Sequence, residues 1–170
     1  MTGKVLGAAL VVAACACFGF TMAAGYRREL YGLRQIIAAL NFMECELQYR
    51  HTPLPELCRS TAREVDRPIG TILQGLGSEL ERQVRPDVAS CMHAALQTGP
   101  ELPKSLADIL KELGHTLGRY DLSGQLKGLE ALRNLCTERL NTWTENSRQR
   151  IRSYQTLGLC AGIALAILMI

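Results

Sequence analysis

Along this chain, stretches with no polar face give way to stretches in which apolar residues recur every third or fourth position. The first uncharged run, Val5 to Tyr26, holds 22 residues dominated by Val, Leu, Ala, Cys and Phe. About 20 such residues in a helix cross a hydrocarbon core of roughly 30 Å. A second run, Ser153 to Ile170, holds 18 uncharged residues, enough to reach about 27 Å as a helix. From Leu157 onward it has no polar face to turn toward water. Both runs are expected to span a membrane. For the first, a cleavable signal peptide competes, with Lys4 as the basic region, Val5–Phe20 as the apolar core and Thr21-Met22-Ala23 as a poor cleavage site. The charged helical pattern that continues directly from the run favours the span.

Between the runs no stretch alternates apolar and polar residues as a half-buried strand does, and the helical period dominates. Leu30, Leu33, Ile36, Ile37, Leu40, Met43 and Leu47 form one stripe, continuing from the first run and stopping at Thr52-Pro53. There Thr52 is expected to cap the next helix and Pro53 to occupy its first turn. Leu54, Leu57, Thr61 and Val65 predict a short helix to about Asp66, broken by Arg67-Pro68. Ile69, Ile72, Leu73, Leu76 and Leu80 predict a third. Val88, Cys91, Met92, Ala95 and Leu96 predict a fourth after Pro86. Gly99-Pro100 and Pro103 punctuate again. Leu106, Ile109, Leu110, Leu113 and Leu117 predict a fifth, ending near Tyr120. Leu126, Leu129, Leu132, Cys136, Leu140 and Trp143 mark a sixth that runs into the second apolar run. From Leu122 to Ile170 that helix would measure roughly 73 Å. Six helices, each with one apolar stripe, predict an all-α bundle. The expected layout is a transmembrane helix over 1–26, a cytoplasmic helical domain over 27–152 and a transmembrane helix over 153–170.

Charge placement sets the orientation. The chain has 170 residues, 19 Lys+Arg and 16 Asp+Glu, a formal charge of +3. Of the charged side chains only Lys4 lies outside Arg27–Arg152. That excludes a disordered polyelectrolyte and a transporter with many spans, and the charge is too small to indicate a nucleic-acid binder. Arg27, Arg28 and Arg34 follow the first run, and Arg148, Arg150 and Arg152 precede the second, so the positive-inside rule puts the middle domain in the cytoplasm. Cys45, Cys58, Cys91 and Cys136 form no Cys-x-x-Cys pair, which argues against a secreted disulfide framework or a zinc ligand set. His51, His93 and His115 fall on different predicted helices or their ends, with no His-Glu-x-x-His spacing. No phosphate-binding loop and no nucleophile elbow occur. No catalytic, cofactor or metal residue is therefore assigned, and the chain is not expected to be an enzyme.

Two stretches stand out. In Glu44-Cys-Glu46-Leu-Gln-Tyr49-Arg-His-Thr52-Pro53-Leu54-Pro55-Glu56, the two glutamates point to different sides of a helix and make poor partners for one metal. The stretch reads as a helix–turn–helix corner, as a partner contact, or as both. In Leu113-Gly114-His-Thr-Leu117-Gly118-Arg-Tyr-Asp121-Leu-Ser-Gly-Gln125, Gly114 and Gly118 are expected to stack one turn apart and admit another helix. Asp121 is the expected N-cap of the last helix, with Ser123 as rival; Asp121 and Gln125 also read as a docking patch. Gly158 and Gly162 form a Gly-x-x-x-Gly step, a weak signal for packing in lipid.

Two apolar ends around six helices, Glu44-x-Glu46-Leu47-x-Tyr49-x-x-Thr52-Pro53-Leu54-x-Glu56, and Leu113-Gly-x-x-Leu-Gly118-x-x-Asp121-x-x-x-Gln125 together resemble the stage III sporulation protein AB family over essentially the whole chain. The resemblance implies a six-helix bundle related to the F-type platform proteins of type II secretion and type IV pilus machines. It implies a non-enzymatic part of the channel linking mother cell and forespore, located in the mother-cell membrane around the forespore. It implies the stage III sporulation AA ATPase and other channel components as partners, with Glu44, Glu46, Tyr49, Thr52, Asp121 and Gln125 as candidate partner-binding residues. A scaffold or sensor that binds lipid or a regulator through Arg27, Arg28, Arg148, Arg150 and Arg152 is the alternative.

Overall fold

An apolar run that passes without Pro into an amphipathic stripe leaves nothing to stop a helix. In the computed structural model α1 indeed runs unbroken over Thr2–Tyr49. It is followed by α2 (Leu54–Glu64), α3 (Ile69–Arg82), α4 (Val88–Thr98), α5 (Lys104–Thr116) and α6 (Leu122–Met169). The structure describes the backbone of residues 2–118 and 121–169, and the side chains of 25, 27–118 and 121–145. Among these residues every regular element is a helix, and no helix is long and apolar enough to cross a membrane. The side chains of the two apolar runs (Gly25 apart), and with them the span and cleavage readings, lie outside the described residues.

The chain divides into two compact units, residues 31–140 and the paired ends 1–30 and 141–170. The first carries the apolar stripes. Ile36, Leu40 and Met43 of α1, Leu57 of α2, Ile72, Leu73 and Leu76 of α3, Met92 of α4, Leu110 and Leu113 of α5, and Leu129 and Cys136 of α6 are essentially inaccessible to solvent. Each such large aliphatic side chain contributes about 1.5–3 kcal/mol on leaving water, so every helix of this unit is held by its stripe. Its one buried polar side chain among the described residues, Thr61, is satisfied within α2, donating to the Leu57 carbonyl at 2.7 Å.

The helices alternate in direction. At one end of the bundle the α2–α3 junction meets the first turns of α1 in this unit. Tyr31 Oη donates to Asp66 Oδ2 at 2.5 Å, and the Asp66 N–H donates to Gln35 Oε1 at 2.9 Å. At the opposite end the α1–α2, α3–α4 and α5–α6 junctions gather around Gly118.

Three local expectations need correction. Thr52 does not cap α2. Pro53 holds the cap position at φ −57°, ψ 144°, with no side-chain cap, and the Thr52 hydroxyl instead donates to Glu46 Oε2 at 3.0 Å. Pro55 in the first turn has no N–H to offer, so a cap has less to satisfy there, while a carboxylate close by is the stronger acceptor. Second, α5 stops at Thr116, short of Tyr120, which itself lies outside the described residues. Third, Gly114 and Gly118 do not stack. Leu117 leaves the helix extended, at ψ 134°, and Gly118 turns at φ 75°. Gly114 makes its close approach from within α5: a Cβ there would sit 2.8 Å from Met92 Cβ of α4. Asp121 caps α6 as expected, its Oδ1 accepting the Gly124 N–H at 3.0 Å.

Candidate functional site

The two distinctive stretches, about seventy positions apart, form the two walls of one cleft of about 300 Å³. One wall comes from the end of α1, the α1–α2 corner and the start of α2 (Leu47, His51, Thr52, Leu54), the other from the α5–α6 turn and the first turn of α6 (Gly118, Leu122, Gln125). Three leucines supply an apolar floor, and Leu122 remains 37% exposed. Thr52, His51 and Gln125 supply polar groups. A cleft of this size takes one or two side chains of a partner or a small ligand at the low end of the usual range.

Backbone geometry shapes both walls. His51 sits in the left-handed region at φ 52°, which reverses the chain after α1. Gly118 does the same after α5, and a Cβ there would lie 2.7 Å from Val88 Cγ2, so the turn is wedged against α4. A second, larger recess of about 510 Å³ lies beyond Gly118, between the α3–α4 junction and the end of α5.

Of the six candidate residues, the structure brings Thr52 and Gln125 together in the cleft. Glu46 stands behind Thr52, bonded to its hydroxyl and paired through Oε1 with Arg50 at 3.4 Å. Asp121 acts through its cap on the helix that carries Gln125. Tyr49 lies apart from the lining and is 77% exposed. Glu44 points elsewhere, to Arg133 of α6, with Oε1 and Nε 3.5 Å apart. Neither of those two atoms is open to solvent or makes a hydrogen bond; the spacing fits an ion pair but is long for N–H···O. Burial, with Glu130 adding and Arg133 opposing, raises the Glu44 pKa above its ordinary value.

His51, His93 and His115 are exposed and lie on separate elements, and no group of three metal-binding side chains forms among the described residues. Burial pushes the Cys58 thiol up to about 12 and that of Cys136 to about 11, which keeps both protonated and unreactive. Arg27 is exposed, whereas the side chains of Arg148, Arg150 and Arg152 lie outside the described residues.

Sequence reasoning missed Arg133, His51 and the lining role of Leu122. Arg133 did leave a signal, since it interrupts the apolar stripe of α6 between Leu132 and Cys136. Its partner lies 89 positions away, and no local pattern announces that.

Residues 4–170 match the family described as Stage III sporulation protein AB. The chain belongs to that family. Over 169 residues it is 28% identical to Stage III sporulation protein AB of Bacillus subtilis (strain 168), which covers 98% of both chains. A solved structure of a stage III sporulation protein AB is similar with a TM-score of 0.62 at 23% identity, over 72% of this chain and 98% of the other. The likeness supports the helical bundle. The family takes its name from a stage of sporulation and not from a catalytic activity.

Proposed function

We propose that this protein is a non-enzymatic membrane platform in the channel between mother cell and forespore during endospore formation. Its two apolar ends are transmembrane helices, and its charged bundle faces the mother-cell cytoplasm at the membrane surrounding the forespore. The cleft receives the stage III sporulation AA ATPase, and α1 and α6 carry the resulting force toward the bilayer and the other channel components. The observation that carries this reading is the meeting of the two distinctive stretches on one apolar-floored cleft, with His51, Thr52 and Gln125 as its polar lining. The cleft lies at the end of the bundle opposite the Tyr31–Asp66 contact.

The decisive experiment is capture from sporulating cells with the detergent-solubilised full chain. The ATPase should co-purify with the wild type, and Leu122→Arg, which puts a charge on the cleft wall at an already accessible position, should reduce capture at least tenfold while leaving the circular dichroism spectrum unchanged. Absence of the ATPase from the wild-type eluate, or equal capture by the variant, would overturn the docking role. A reporter enzyme inserted within residues 53–102 tests the topology, and activity only outside the cytoplasm would overturn it.

A further inference from the structure

Glu44 and Glu46 belong to the motif that leads to the cleft, yet neither lines it. Side chains two apart on a helix point to different sides, and near the end of α1 each of these carboxylates reaches a different wall. Glu46 turns to the α1–α2 corner, where Oε2 accepts the Thr52 hydroxyl at 3.0 Å and Oε1 pairs with Arg50 at 3.4 Å. Glu44 turns to α6, where it meets Arg133 at 3.5 Å. Asn41, one turn earlier on α1, holds the same guanidinium, its Oδ1 3.5 Å from Nη1. Arg133 lies eight residues along α6 from Gln125, about 12 Å of helix axis.

We propose that Glu44 and Glu46 form a two-armed brace that sets the width of the cleft, Glu46 fixing the wall that carries Thr52 and Glu44 fixing the helix that carries Leu122 and Gln125. The brace rests on reading the cleft as a docking site, and it makes both glutamates positioning residues that a docked partner never touches. For Glu44 a purely stabilising role fits poorly. Burial works against its ionised form more than Arg133 favours it, so the effect of the pair is expected in the position of α6 more than in the stability of the whole bundle. What it supplies is a fixed register between helices remote in sequence, the use for which buried ion pairs are retained where they do not stabilise. Glu46 answers to a different logic. Its carboxylate accepts a neutral hydroxyl, and that bond ties the last turn of α1 to the residue just before α2.

Amide exchange on the detergent-solubilised full chain tests the two arms separately. The Leu57 N–H bonds to the Pro53 carbonyl and the Gln125 N–H to the Asp121 carbonyl, each at 2.9 Å, so the pair reports on the first turn of each wall. Glu46→Ala should speed exchange at Leu57 about tenfold, as expected for losing a charge-assisted bond, and leave Gln125 unchanged. Glu44→Ala should do the converse. Glu46→Gln, which keeps an acceptor oxygen for the Thr52 hydroxyl, should restore most of the protection, whereas Glu44→Gln, which loses the charge that faces Arg133, should behave as Glu44→Ala does. Thr52→Val removes only the hydroxyl at nearly constant shape and should reproduce the Glu46→Ala pattern even if that variant folds poorly. Acceleration spread evenly over the bundle, or wild-type exchange in Thr52→Val and Glu44→Ala, would overturn the brace. ATPase capture is a separate readout. Glu44→Ala should weaken it about tenfold if the cleft is the docking site. A wild type that captures no ATPase removes the docking reading, while the exchange pattern still decides the brace.

Discussion

Backbone conformation at single residues gives the most direct energetics in this bundle. Gln83 ends α3 in the left-handed region at φ 51°, its N–H bonded to the Leu80 carbonyl. A residue with a Cβ gives up roughly 1–2 kcal/mol in that conformation, so Gln83→Gly should raise stability by about 1 kcal/mol in denaturant unfolding, within the gain usual for glycine at a helix C-terminus. Gly118→Ala should do the reverse. It loses the freedom to sit at φ 75° and drives a methyl to 2.7 Å from Val88 Cγ2, a combined cost of about 2–4 kcal/mol. Glu44 sets a pH dependence. Its folded pKa lies above the ordinary 4.5, so the folded chain holds that proton more tightly than the unfolded one. The stability Glu44 contributes is therefore present below pH 4.5 and is lost as pH rises through its raised folded pKa. Glu44→Gln should flatten that part of the stability curve; a wild-type and variant difference that is constant over pH 4–7 would contradict the assignment.

At the scale of helices, the sequence was most legible where one stripe decided the outcome. The apolar period of α3 places Ile69, Ile72, Leu73 and Leu76 on the buried face, and all four are buried. Leu110, equally enclosed on α5 at 1% exposure, should cost about 2–5 kcal/mol on replacement by Ala, read as a drop in midpoint without a change in denaturant slope. Legibility failed at the junctions, where local rules competed. Thr52 had the side chain of a cap, but two prolines left α2 little to cap, and Glu46 offered a better partner. Gly114 and Gly118 shared a helical spacing, but Leu117 ended the helix between them. The cleft was legible only in part. Its two walls came from the two stretches that looked unusual, yet nothing in either stretch could show that they meet, because their contact depends on how six helices stack. Nor could spacing pair Glu44 with Arg133, although a charge on the apolar stripe of α6 indicated that something must face it.

For the molecule as a whole, the proposed role requires mechanical continuity more than chemistry. Both α1 and α6 continue as helices from the bundle into the uncharged ends of the chain. Along α6 no Pro interrupts the 48 residues from Leu122 to Met169. An unbroken helix transmits axial and torsional displacement because each residue is tied to the next turn by a backbone bond, whereas a Gly-Pro-Gly insertion removes donors, frees the backbone and lets the two parts reorient. Placed after Arg148, the insertion leaves the cleft, the brace and the apolar end intact. The chain should still sediment with membranes and still capture the ATPase, yet sporulation should fall to the level of a deletion strain. An insertion of four residues that keep the helix, Ala-Glu-Ala-Lys, should retain most of the function, since it preserves stiffness and rotates the distal segment by only about 40°. Normal spore yield with the flexible break would show that force does not pass along α6, and the protein would then act by gathering its partners at the membrane instead of by coupling their motion across it.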